Sequence, residues 1–416
     1  MHLHALGLAI GASAVLVPAA AQDLAITNAR IVDGAGRVIE SGTVVVRDGR
    51  IESVSAAARA PRGIERLDVR GRTVLPGFVD AHRHIIRGEP RSWLEERAAE
   101  EFLEYLEAGF TTVLSAIDPT VQIVEARERV DDGRLVGPRL VVGGIVPLAG
   151  GGGGGGGGVD PARTDSSRPP LRATQAAPAI PREQTLAAVR RLADAGVDAI
   201  KTVIIVTPGG PEQATLALIT QEARRLGLMS ITHAVSVRDT LAAVEAGTDI
   251  LVHTPHIGQL TDEDVRRIVA AGIPMTSTLG VFVPYFGPDD NTPLFRDLMP
   301  FPMNTLSSAG QGPVNARLLW EAGINYGYGT DTSYSPRDSL AHELKPLSLV
   351  FSPQDIVYIL TRNAAVSAGR GDTVGTLEPG KLADVVVVDG DPLNDSDALL
   401  DVVLVIKGGE IVVDNR

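Results

Sequence analysis

Cysteine is absent from this chain of 416 residues. Its absence excludes a disulfide framework, thiolate metal ligands and a cysteine nucleophile. Any bound metal ion would therefore use histidine, carboxylate or a modified lysine.

Positive charge is outnumbered by negative charge, and the formal net charge is -13. This balance argues against a phosphate-binding surface, so we expect no nucleic-acid partner.

The N-terminal residues contain no Lys or Arg, but they carry an apolar run from Ala5 to Val17. Small residues, Ala19 to Ala21, follow this run, which is the pattern of a cleaved signal peptide. The run is too short to remain as a membrane helix, and no other segment approaches that length. We therefore expect residues 1–21 to be a signal peptide and the protein to be periplasmic or secreted, without a stable membrane span. A buried or anchoring segment is the alternative.

Strand-like and helical patterns divide the rest of the chain into two domains. Short β-like runs separated by turns occupy residues 22–73 and return in residues 375–416, so we expect both ends to pair into one small, discontinuous β-sandwich. Between them, in residues 74–374, eight strand-like runs alternate with helical patterns. This alternation predicts a closed parallel (β/α)8 TIM barrel. A doubly wound open sheet is the structural alternative.

An uninterrupted glycine run, Gly150 to Gly158, follows the third strand-like run of the predicted barrel. Residues without side chains cannot build a core. We interpret the run as a mobile loop at the mouth of the barrel. Gly150 and Gly151 are candidate substrate contacts within it.

Histidines stand where several predicted barrel strands end. His82 and His84, in VLPGFVDAHRHI, are two residues apart and so share one face of the first strand. Such a pair can chelate a metal ion, although histidine pairs also occur as ordinary polar surface. His233 closes SITHAV and His253 closes DILVHT one βα repeat later, at the same height on consecutive strands. His256, in the loop beyond, is a candidate substrate contact.

A lysine and an aspartate occupy two further predicted strand ends. Lys201 lies in the apolar run DAIKTVII, where an unpaired ammonium group would be costly to bury. Desolvation lowers a lysine pKa, and the neutral amine can react with carbon dioxide to give a metal-bridging carbamate. The alternative is a lysine paired with a nearby carboxylate. Asp331 ends GYGTDTS after glycines that permit close backbone approach; the alternative role is a helix cap.

Histidine, lysine and aspartate at these strand ends resemble the amidohydrolase superfamily. The likeness is to its imidazolonepropionase-like and Xaa-Pro dipeptidase-like branch, in LPGFVDAHRH, IKTV, ITHAV, GTD and PGKLADVVVVDGDPL. The resemblance implies a metallohydrolase with two divalent ions, zinc being the expected metal. The implied ligands are His82 and His84 for the more buried ion, His233 and His253 for the second ion, a carboxylated Lys201 that bridges both, and Asp331 on the first ion.

The resemblance also implies catalytic roles for Lys201 and Asp331. Asp331 would take a proton from the attacking water and return it to the leaving amine. Two departures from the family pattern concern the pocket. Gly150 to Gly158 replace a loop that contains Gly and His in related dipeptidases, and Leu114 and Ser115 replace an Arg-Asp pair after the second strand.

The implied substrate is a small amide: a dipeptide, an N-acyl amino acid or an ochratoxin-like amide. Cyclic amides, as in imidazolonepropionase, are the alternative, and the same chemistry attacks lactones and phosphotriesters. A non-catalytic scaffold is disfavoured because the ligand set is complete. The sequence leaves a homo-oligomer open.

Overall fold

The computed structural model describes residues 23–56, 61–149, 178–282, 308–332 and 334–416. The predicted signal peptide and the glycine run, with Gly150 and Gly151, lie outside these ranges. Two sheets dominate the described residues. Their strands are β1 (Leu24–Val32), β2 (Val38–Arg47), β3 (Arg50–Ser55), β4 (Glu65–Asp68), β5 (Thr73–Pro76), β6 (Phe78–Arg83), β7 (Phe110–Ser115), β8 (Arg139–Ile145), β9 (Ala199–Val203), β10 (Met229–His233), β11 (Ile250–Val252), β12 (Met275–Thr276), β13 (Tyr326–Gly327), β14 (Val385–Val388), β15 (Val402–Lys407) and β16 (Glu410–Asp414).

Strands β6 to β13 form the barrel. They are the eight strands of one sheet in the described chain, they follow one another in sequence order, and each neighbouring pair is parallel. The two end strands meet, because the Ala81 amide donates to the Tyr328 carbonyl at 3.0 Å. All six residues of β7 are buried, the polar ones included, as expected for a parallel strand covered on both faces. The predicted TIM barrel is confirmed, and the open sheet is excluded.

Helices connect the barrel strands, and side-chain caps begin several of them. Ser236, Thr261 and Ser352 each accept a hydrogen bond from a backbone amide of the first helical turn. Among the described residues, no helix combines the length and apolar character needed to cross a membrane. The helical segments are Pro90–Ser92, Trp93–Arg97, Ala98–Glu107, Thr120–Asp131, Arg182–Asp194, Glu212–Arg225, Val237–Glu245, Asp262–Ala270, Leu279–Phe282, Ser308–Glu321, Pro336–Leu347, Pro353–Tyr358, Ile359–Asn363, Ala364–Ser367 and Ser396–Leu400.

The second sheet joins the two ends of the chain into the small β-sandwich domain. Its order is β16-β15-β14-β5-β1-β2-β3, and β4 pairs with β1. The junction is the antiparallel pair of β5 with β14, in which Thr73 lies opposite Val388. Apolar side chains from both ends, including Ile26, Val74 and Val385, share one core. The predicted pairing of the chain ends is confirmed.

The run VLPGFVDAH, which we predicted as one barrel strand, is divided at Gly77. Its first part lies in β5 of the sandwich and its second part is β6 of the barrel. A side chain at Gly77 would place its Cβ 2.2 Å from Thr111 Oγ1, so the chain passes between the domains where only glycine fits. The predicted boundary between residues 73 and 74 falls inside β5, and the first barrel strand begins at Phe78.

Candidate metal centre

Five of the six predicted ligands lie at or just beyond the carboxyl ends of barrel strands, and Lys201 lies in the middle of its strand. His82 and His84 are at the end of β6, and Lys201 and His233 lie in β9 and β10. His253 directly follows β11, and Asp331 lies in the segment beyond β13. In TIM barrels this end of the strands carries the active site.

Asp331 is the point on which three histidines converge. Its Oδ1 lies 2.8 Å from His84 Nε2 and 3.6 Å from His82 Nε2. Its Oδ2 lies 3.8 Å from Nε2 of His253. The ligand atoms of His82, His84 and Asp331 all fall within 4.8 Å of one another, a spacing that could hold a metal ion.

His253 connects this group with the fourth histidine. Its ring centroid lies 5.2 Å from that of His82 and 4.2 Å from that of His233. The rings meet edge to face, with interplanar angles of 85° and 77°. The four imidazoles therefore form one continuous group at the rim of β6, β10 and β11.

Burial keeps the imidazoles of His82, His233 and His253 neutral. Desolvation, together with nearby Lys201, lowers the pKa of His233 to about 3. Desolvation likewise holds the pKa of His82 and of His253 well below the usual histidine range. A neutral imidazole offers a nitrogen lone pair, which is the form that binds metal. The donor set therefore fits a divalent cation.

Asp331 completes the set as an anion. Burial alone would raise the pKa of its carboxyl group, but His82, His84 and Lys201 together hold that pKa below the usual range. Its backbone is fixed in a left-handed conformation, with φ of 52°, and its amide donates to the His82 carbonyl at 2.9 Å. The predicted close approach is present, because a Cβ on Gly329 would meet Thr276 Cγ2 at 2.4 Å. The next helix is capped by Ser335 instead of Asp331.

Lys201 is buried without a partner. Its side chain is 2% exposed, and its Nζ has no hydrogen-bond partner among the described residues. The predicted alternative, an ion pair with a nearby carboxylate, is not found among the ion pairs of those residues. Desolvation lowers the Lys201 pKa to about 7, against the opposing attraction of Asp331. A substantial fraction of this amine is therefore neutral at neutral pH, as carbamate formation requires.

His256 lies beyond β11, as expected from the sequence, but it is buried. Its ring stacks on Phe282 with centroids 3.8 Å apart, and desolvation lowers its pKa to about 4. Phe282 also meets the His253 ring edge to face at 5.1 Å. A neutral aromatic wall thus stands beside the histidine group.

Two carboxylates that we did not predict hold the first strand end in place. Asp80 Oδ1 accepts from the His82 amide at 3.0 Å, and its Oδ2 accepts from the Thr330 hydroxyl at 2.7 Å. Asp118 accepts from the backbone amides of Ile85 and Ile86, just after His84. Asp80 could have been suspected from its place two residues before His82. The distance of Asp118 from His84 in sequence gives no such signal.

Ser115, which with Leu114 forms the second departure from the family pattern, helps to hold Asp118 in place. Its hydroxyl donates to Asp118 Oδ2 at 2.7 Å, and both residues are buried. Leu114 is buried in the main apolar core. In the described structure Leu114 therefore packs in the barrel core, and Ser115 supports the Asp118 carboxylate.

Arg83, between the paired histidines, fastens the segment after Asp331 to β6. The guanidinium is fully buried and donates to the hydroxyls of Thr332 and Ser339 at 3.0 and 2.6 Å. It also donates to the Tyr105 hydroxyl and to the Tyr334 carbonyl. Arg83 thus ties the segment that follows Asp331 to the strand that carries His82.

Comparison with known proteins matches the amidohydrolase family to residues 73–412. The chain belongs to the amidohydrolase family. It is therefore a hydrolase that acts on carbon–nitrogen bonds, of the superfamily branch that the sequence motifs predicted.

Its relatives include imidazolonepropionases. Those of Thermoanaerobacter pseudethanolicus and Sphingopyxis alaskensis are 22% and 27% identical, over 84% and 88% of this chain and 84% and 92% of theirs. Among solved structures, a Xaa-Pro dipeptidase with bound methionine has a TM-score of 0.73 at 22% identity, covering 94% of this chain and 99% of that one. The A. niger ochratoxinase has a TM-score of 0.71 at 21% identity, covering 95% and 96%. These structural likenesses establish the shared fold.

Proposed function

We propose that this amidohydrolase is an exported, binuclear metal-dependent enzyme that cleaves the amide bond of a small substrate. The observation that carries the proposal is the group of imidazoles, one carboxylate and a buried amine without a partner among the described residues, all at the barrel mouth. A lysine buried without a partner is costly in a hydrophobic core, and it is not an exposed surface residue, so neither ordinary role explains its position. Two cations bridged by a Lys201 carbamate would account for it.

The residues divide into two ligand groups around this bridge. His82, His84 and Asp331 would hold the first ion, since their ligand atoms already lie close together. His233 and His253 would hold the second, since their rings are in contact. When bound, the ions supply Lewis acidity, which lowers the pKa of water and polarises a carbonyl group. Zinc suits this histidine and oxygen donor set.

Asp331 would carry the proton of the reaction. As an anion at neutral pH it accepts a proton from the attacking water while the carbonyl carbon gains its new C–O bond. It then delivers that proton to the amine nitrogen as the C–N bond breaks. The products are a carboxylic acid and an amine. The buried Asp80 and Arg83 contacts on either side hold the Asp331 segment in register.

The aromatic wall formed by His256 and Phe282 favours a substrate that carries an apolar or aromatic group next to the scissile amide. Both side chains are uncharged near neutral pH, and they lie against His253. Dipeptides with apolar residues, N-acyl amino acids and ochratoxin-like amides have such groups, and the ochratoxinase shares the fold. A cyclic amide is the second candidate, favoured by the imidazolonepropionase relatives. Lactones and phosphotriesters are further candidates.

A substrate panel tests the proposal. Enzyme supplied with zinc should hydrolyse amides with aromatic or apolar acyl groups faster than size-matched polar amides, and Phe282→Ala should reduce this preference through KM. Faster turnover of lactones or phosphotriesters than of every amide would contradict the assignment.

Export is tested separately, because mature protein from the periplasm or medium should begin at Gln22. Full-length protein in the cytoplasm would contradict export.

A further inference from the structure

His253 directs its two ring nitrogens to different surroundings. Its Nδ1 lies 2.6 Å from the Thr278 hydroxyl, and both residues are buried. Its Nε2 has no hydrogen-bond partner among the described residues and lies 3.8 Å from Asp331 Oδ2. One nitrogen is thus occupied by Thr278, while the other points into the metal centre.

Thr278 is itself fixed in place. Its backbone has a φ of 53°, uncommon for a β-branched residue, and its amide donates to the Gly329 carbonyl at 3.1 Å. On either side, the Ser277 hydroxyl and the Leu279 amide donate to Glu343 Oε1 at 2.8 and 2.7 Å. Glu343 is buried in the helix Pro336–Leu347 and so holds the turn that carries Thr278.

An imidazole that offers its Nε2 lone pair must carry its proton on Nδ1. A hydrogen-bond acceptor placed at Nδ1 favours that tautomer and fixes the plane of the ring. The Thr278 hydroxyl has the position and the chemistry to accept this proton. We infer that Thr278 is a positioning residue that sets the tautomer and orientation of His253, with Glu343 holding the Thr278 turn. The inference rests on the proposed role of His253 as a ligand.

A matched pair of substitutions separates this role from simple packing. Thr278→Val removes the hydroxyl but keeps the branched shape, and Thr278→Ser keeps the hydroxyl. Thr276→Val is the control, because Thr276 is a buried neighbour whose hydroxyl has no partner in the described structure. The first readout is retention of zinc against a competing chelator. Thr278→Val should weaken the binding of one ion by about 10- to 100-fold, the usual effect of losing a partner of a metal-bound histidine. Thr278→Ser and Thr276→Val should bind like the native protein.

The second readout uses metal-free protein and nitrogen NMR of the histidine rings above pH 7. Native His253 should carry its proton on Nδ1, and Thr278→Val should shift the ring towards a mixture of tautomers. Equal zinc affinity in native protein and Thr278→Val, or a Thr278→Ser variant as weak as Thr278→Val, would overturn the inference. Native His253 protonated on Nε2 would overturn it as well. If native protein retains no zinc at all, the proposed function fails, while the NMR measurement still decides the role of Thr278.

Discussion

Asp198 directly precedes β9 and Lys201 lies in the middle of that strand, only three residues later, yet the described structure pairs the first charge and leaves the second unpaired. Asp198 accepts from Arg127 at 2.7 Å and from Arg370 at 2.8 Å, and also from the Val142 amide at 2.9 Å. Lys201 has no partner of this kind among the described residues. The Asp198 carboxylate at the bottom of the barrel is thus paired, whereas the buried Lys201 amine has no partner among the described residues.

This difference separates stability from function within one strand. The paired Asp198 carboxylate stabilises the fold, because it joins β8, the helix that carries Arg127 and the later segment that carries Arg370. An unpaired buried amine costs stability and persists only where something else compensates for it. We attribute that compensation to the carbamate and the ions of the proposed centre.

The largest effect is expected at Lys201, the unpaired charge of β9. Lys201→Ala should lose at least one ion and reduce activity by at least about 10²-fold, because the bridge and the oriented centre are lost. Metal content and kcat are the measurements. Short carboxylic acids should partly restore both by occupying the place of the carbamate. A Lys201→Ala variant with native metal content and activity would show that the lysine is a packing residue.

Asp331→Asn separates metal binding from proton transfer at the candidate site. The amide keeps the shape and one carbonyl oxygen, so we expect most of the metal to be retained. The proton acceptor is lost, and kcat should fall by at least about 10²-fold, the usual scale for a general base. Metal analysis and steady-state kinetics of the same preparation check this. A near-native kcat would mean that another residue carries the proton.

At the paired end, Asp198→Ala should affect stability alone. Loss of two charge-assisted contacts should lower the free energy of unfolding by about 2–3 kcal/mol. Metal content and kcat should stay near native values at temperatures where the variant is folded. Denaturant titration beside metal analysis measures both quantities. Loss of metal without loss of stability would contradict the division that we draw along β9.

A smaller effect is expected from pH in the metal-free protein. Folding lowers the His233 pKa from 6.5 to about 3, so between these values the unfolded chain binds more protons than the folded one. The stability contributed by neutral His233 is therefore present above about pH 6.5 and is lost as the pH falls towards 3. Melting temperatures between pH 8 and 5 should decrease, and His233→Asn should flatten the decrease. A slope equal in native protein and His233→Asn would contradict this assignment.

The strand ends that carry the candidate site were predictable because barrel periodicity places each strand's last residues at one rim. His82, Lys201 and His233 could thus be located from the sequence, although their roles as ligands remain proposals. Thr278 and Glu343 were not predicted. Their part depends on a turn beyond β12 and a helix more than sixty positions later in the chain, and their contact distances, such as the 2.7 Å from Leu279, exist only after folding. The division at Gly77 likewise depends on the neighbouring Thr111 side chain.

The number of metal ions per chain decides whether the proposed centre is binuclear. Protein purified without chelators and supplied with zinc should contain about two ions per chain by elemental analysis, since both halves of the proposed centre need a cation. The Lys201→Ala variant, treated identically, should contain fewer. One ion or fewer in the native protein would contradict the binuclear centre and the bridging role of Lys201.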